Sequence, residues 1–155
     1  MGRRIYCNGD YVWKYTFGKQ GSELCELMQK YGVGTHNMDE SNPQFTMVWD
    51  DICKLRDLLN ETVVLPNGRQ ATRKQMLRNF SRAESRVFDA KGRATFDKFD
   101  LFYGASGITG KTVTGRMEKN YGSDALFWAM AKAVYIKTRK EYFKGNHTVL
   151  FEDEW

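Results

Sequence analysis

Residues 72–91 read TRKQMLRNFSRAESRVFDAK, and their periodicity predicts a single amphipathic helix. At about 100° per residue, Met76, Phe80, Ala83 and Val87 fall on one side, flanked by Leu77 and Phe88, while Lys74, Arg78, Arg82 and Arg86 climb the opposite side. Thr72 is placed to cap the first turn and Gly92 to follow the last, so both ends can satisfy backbone groups that a helix leaves unpaired. From Arg69 to Arg93, eight basic residues (Arg69, Arg73, Lys74, Arg78, Arg82, Arg86, Lys91 and Arg93) stand against Glu84 and Asp89, a net charge of +6 in a chain whose total is +5. The basicity of the protein therefore belongs to this one segment.

Working back towards the N-terminus, Thr62 to Leu65 is β-branched and apolar, and Pro66-Asn67-Gly68 turns it into Arg69-Gln70-Ala71, a short middle hairpin leading into the basic helix. Asn42-Pro43 reads as the cap and first position of an earlier helix. Along it Phe45, Val48, Ile52, Leu55 and Leu59 form a core-facing stripe with Trp49 beside them, ending near Asn60. A polar loop over Thr35 to Ser41 precedes it. Ser22 caps a short helix carrying Leu24, Leu27, Met28 and Tyr31 at helical spacing, ended by Gly32 or Gly34. Residues 3–19 read as a hairpin about Asn8-Gly9-Asp10, with Tyr11, Trp13, Tyr15 and Phe17 on one aromatic face that is expected to pack on that helix.

On the other side of the basic helix, Thr95 caps a brief segment containing Phe96, Phe99 and Tyr103, and Gly104 to Gly110 is a small-residue loop. Ser123 caps the most apolar helix, Ala125 to Ile136, which continues through Lys137, Arg139, Lys140 and Lys144 towards Gly145; cations suit a helix C-terminus. Thr148 to Phe151 is a last strand, placed to pair with the N-terminal hairpin. The expected architecture is a helix-rich α+β single domain over residues 1–155, with four to five helices and a small antiparallel sheet.

A chain of 155 residues with 41% hydrophobic content and two prolines has the composition of a folding domain. Cys7, Cys25 and Cys53 form no close pair, so neither a disulfide framework nor a cysteine-based zinc site is indicated, and reduced thiols fit a cytoplasmic setting. No apolar run reaches membrane-spanning length or resembles a signal peptide, and Tyr6 stands where a myristoylation motif needs Ser or Thr.

Four cations at successive i+4 positions repel by roughly 0.2 to 0.5 kcal/mol per pair, an arrangement that makes more sense beside an anion. Phosphates are the usual one, and Gln75, Asn79, Ser81 and Ser85 lie among the cations as further hydrogen-bond donors. The hairpin aromatics, interleaved with Arg3, Arg4, Lys14 and Lys19, resemble a stacking platform for single strands, but a one-sided aromatic face beside a helix is more often core. Residues 105–112, ASGITGKT, fit a loose phosphate-loop pattern in which Gly107 and Gly110 cradle phosphate, Lys111 reaches it and Thr112 binds magnesium. Its surroundings argue against it, since neither a buried strand before it nor a helix after it is predicted. His36 and His147 lack ligand spacing, and Asp97, Lys98 and Asp100 make only a faint acidic cluster.

No catalytic residue, metal or cofactor is expected. The sequence reading is a small non-catalytic binding protein that docks its basic helix on nucleic acid or a nucleoprotein. The first alternative is an inhibitor or accessory module meeting an acidic protein surface. The second is a phosphate-loop nucleotide-binding enzyme.

Overall fold

The strand nearest the C-terminus lies in the middle of the main sheet. The computed structural model describes residues 3–15, 22–38, 42–75 and 125–154. In chain order the elements are β1 (Arg3–Cys7), β2 (Asp10–Tyr15), α1 (Glu23–Lys30), β3 (Thr35–Asn37), β4 (Gln44–Met47), α2 (Trp49–Leu59), β5 (Thr62–Val64), β6 (Gln70–Thr72), α3 (Ala125–Phe143) and β7 (Val149–Glu154). Five strands form one sheet in the order β2-β1-β7-β4-β3, every neighbouring pair antiparallel, and β5-β6 form a separate two-stranded sheet. This is the α+β class that the patterning predicts, with β7 paired to the N-terminal hairpin and the middle hairpin in its expected place.

The sheet has one apolar face because side chains alternate along each strand. On β7, Val149, Phe151 and Asp153 are buried while Leu150, Glu152 and Glu154 are half-buried on the other side. The register carries this across the sheet: Phe151 lies opposite Cys7 and Phe45, Val149 opposite Met47, and Asp153 opposite Ile5. Leu24 and Met28 of α1, Leu55 and Leu59 of α2, and Met130, Ala131, Ala133 and Val134 of α3 complete one core with these residues. Among the described residues no helix is long and apolar enough to cross a membrane.

Two expectations need correction. Residues 42–47 are not the start of a helix. Gln44–Met47 is a strand in which Phe45 and Met47 are buried, and the loop expected over 35–41 contains its partner β3. Phe45 and Met47 satisfy a two-residue period, which the helical stripe drawn through Phe45 and Val48 overlooks. The helix begins instead at Trp49, after an extended Val48. There the Asp51 carboxylate accepts hydrogen bonds from the Val48 N–H at 3.0 Å and the Gly34 N–H at 2.8 Å. The second correction concerns β2. The register slips between Ile5 and Tyr6, leaving Val12 as the extra residue of a bulge. Val12 is therefore in the core, and Tyr11 meets Tyr6 edge-on at 5.9 Å on the outer face. The aromatic face is thus not wholly inward, and Phe17 lies outside the described residues.

Gly34 has φ +85°, and a Cβ there would come within 3.2 Å of the Phe45 ring and the Thr46 carbonyl. The same tight crossing explains why Asp51 is buried: it fastens this turn to the first turn of α2. Asp51→Ala is expected to lower the unfolding free energy by about 2 kcal/mol, whereas Asp50→Ala on the exposed side should change it by less than about 0.5 kcal/mol; urea denaturation of both variants checks the contrast.

Burial pushes the Cys7 thiol up to about 12, outweighing the opposing pull of Lys137. The folded state therefore keeps this proton when the unfolded thiol has lost it, so its stabilising contribution is complete below pH 9.0 and is lost as pH rises from there towards 12. Alkylation of the native protein at pH 8 should label half-buried Cys53 first, with Cys7 and Cys25 reacting only as fast as the protein opens. Native-state labelling of Cys7 at the Cys53 rate would contradict this packing.

Candidate functional site

Along α3, Lys132, Tyr135, Ile136, Arg139, Lys140 and Phe143 recur at intervals of three, one, three, one and three residues. That spacing places them on one side of the helix, away from the buried Met130, Ala131 and Val134. Two adjoining depressions run along this stripe. The larger, about 650 Å³ and open to solvent, is lined by Tyr135, Ile136, Arg139, Lys140, Phe143 and Lys144. The smaller, about 90 Å³, is lined by Arg56, Leu59, Asn60, Lys74, Lys132, Tyr135 and Ile136. Tyr135 and Ile136 belong to both, so the two form one groove; among the described residues that line it six are cations and none is a carboxylate.

Among the described residues, the acidic groups nearby sit outside the groove. Glu141 is i+4 from Lys137, which it meets at 3.0 Å, and lies 3.9 Å from Lys144. A hydrogen bond donated by the Asn146 side chain, together with Lys137 and Lys144, holds its carboxyl below the usual carboxylate range. Arg56 donates from Nε and Nη2 to Asp57 Oδ1, each at 3.3 Å, in a solvent-exposed pair of small energetic weight. The Arg139 guanidinium lies 5.7 Å from the Tyr135 ring centre and 5.6 Å from that of Phe143.

At the far end of the groove the first residue of α2 meets the last turn of α3. Trp49 packs on Tyr142 at 4.9 Å and reaches Phe143 at 6.2 Å, while Tyr142 also contacts His147 at 4.6 Å. Phe143 is nevertheless 66% exposed and Trp49 41% exposed. Exposed rings held by neighbouring aromatics form a ready contact surface.

The structure separates the basic residues singled out from the sequence. Thr72 and Gln75 form a reciprocal cap, each side chain accepting the other's backbone N–H at 3.0 and 2.9 Å, and the chain is helical over 73–75. Lys74 is exposed and lines the groove, bringing the start of the basic segment against the α3 stripe. Arg69 is exposed in the β5–β6 turn, its N–H held by Asn67. Arg73 does not share their surface: it is 7% exposed, and its guanidinium lies 4.0 Å from the Trp128 ring centre and 5.4 Å from that of Tyr31. It donates to the Leu58 carbonyl at 2.9 Å and lies 3.7 Å from the Glu61 carboxylate. Its charge is engaged within the fold. Arg78, Arg82, Arg86, Lys91 and Arg93, the residues Gly107, Gly110, Lys111 and Thr112, and the Asp97–Asp100 cluster lie outside the described residues.

Both histidines have local partners. His36 donates from Nε2 to the Val33 carbonyl at 2.7 Å and stacks on Phe45, whereas His147 is exposed beside Tyr142. Among the described residues no group of three or more His, Cys, Asp or Glu side chains is placed to hold a metal. The α3 cations have a bland sequence explanation in the helix dipole, and that explanation masks the stripe. Its signal is the spacing that interleaves them with Tyr135, Ile136 and Phe143. No known protein family, no curated protein and no solved structure matches the chain.

Arg73→Ala is expected to cost about 2 kcal/mol or more, from a desolvated cation–π contact and an unpartnered carbonyl, while Lys74→Ala stays within about 0.5 kcal/mol of the parent. Thermal denaturation of both variants measures the difference.

Proposed function

We propose that this is a non-catalytic nucleic-acid-binding protein, and that the groove along α3 grips the phosphate backbone. The observation that carries the reading is the set of six cations, from Arg56, Lys74 and Lys132 to Arg139, Lys140 and Lys144, along a groove whose described lining residues include no carboxylate. Concentrating like charge is unfavourable for the isolated fold, and a polyanion relieves it by releasing its own counterions. The exposed Lys74 joins this surface to the basic segment that runs to Arg93, whose Arg78, Arg82 and Arg86 are assigned to the same phosphate-binding role from their sequence spacing. Three free cysteines suit a cytoplasmic setting for this activity.

The test is fluorescence anisotropy with labelled DNA and RNA oligonucleotides over a range of salt concentrations. Affinity should fall steeply with salt, at about 0.7 to 0.9 in log K per log salt for each phosphate contacted. Arg139→Glu/Lys140→Glu should weaken binding at least tenfold and flatten the slope by roughly two contacts, with the melting temperature retained. Absence of binding at low salt would contradict the proposal and favour an acidic protein surface as the partner.

A further inference from the structure

Resting on the nucleic-acid reading, we propose further that the groove takes an unpaired strand, with bases stacking on Phe143 and Trp49 while the backbone follows the α3 cations. Neither ring is needed to fill the core: Phe143 is 66% and Trp49 41% exposed. Both rest against Tyr142, with ring centres 5.8 and 4.9 Å away, so a base can add to the cluster without rearranging it. In a duplex the base faces are already stacked on one another, and only an unpaired strand offers them to a side chain. Arg139 fixes how the two halves of the site work together. Its guanidinium is 5.6 Å from the Phe143 ring centre, on the same stripe as Lys140, so a base on Phe143 brings its own phosphate beside these two cations. Every base has a π face, so this recognition tolerates many sequences.

The experiment compares a labelled single-stranded DNA oligonucleotide with its blunt duplex, at several salt concentrations, on the full chain and four variants. The single strand should bind at least tenfold more tightly than the duplex. Phe143→Ala should lower single-strand affinity about tenfold with the salt slope and duplex affinity unchanged, and Phe143→Trp should restore it. The single strand should also quench tryptophan fluorescence, and Trp49→Phe should remove that quenching. Equal affinities for the two forms, both lost in Arg139→Glu/Lys140→Glu, would overturn the stacking inference while leaving the nucleic-acid reading intact. No binding of either form would overturn both.

Discussion

Phe151 stacks on Phe45 with ring centres 5.2 Å apart and planes 13° from parallel, and on its other side it lies opposite Cys7. This contact expresses the constraint on which the fold rests: β7 must lie between β1 and β4, because those strands do not pair with each other. Without it the sheet would be two separate hairpins, each marginal alone. Asn8 shows how far along the chain the closure reaches. Its side chain accepts the Leu150 N–H at 2.9 Å, and its N–H donates to the Leu150 carbonyl at 2.8 Å. Contacts of this sequence separation make loop closure costly and folding slow relative to a helical bundle.

The helices then cover the sheet's apolar face, and α3 has a second task. Its small Ala131 and Ala133 sit in the core with Met130 and Val134, while the reverse side carries cations between Tyr135, Ile136 and Phe143. Arg73 sets where this reverse side is covered. Lying over Trp128 and bonded to the Leu58 carbonyl, it ties the start of the basic segment to both α2 and α3. The neighbouring Lys74 consequently reaches the groove, and the C-terminal part of α3 is left open to solvent.

The sequence made the α+β class legible, together with the two expected hairpins, the Thr72 cap and the last strand. What it obscured has local physical causes. Phe45 fits both a helical and a two-residue period, and only pairing with Phe151 decides between them. One extra residue at Val12 reverses the facing of Tyr11, a shift that alternation alone cannot foresee. At the candidate site, the charge of the 69–93 segment could be counted from the sequence, but Arg73 and Lys74 are adjacent and meet opposite fates. Burial of Arg73 depends on Trp128, a residue far along the chain. The α3 stripe needed the structure because the cations at Arg56 and Lys74 converge on it from other elements.

The surface proposed to meet nucleic acid is the reverse side of α3, and not the outer face of the sheet. Amide chemical-shift mapping with an added oligonucleotide tests it most directly. Perturbations are expected chiefly at residues 132–144, with Trp49, Arg56, Asn60, Lys74, Arg78, Arg82 and Arg86, and little change at Tyr6, Thr46 or Glu152 across the sheet. Perturbations concentrated on those sheet residues, or none in α3, would contradict it.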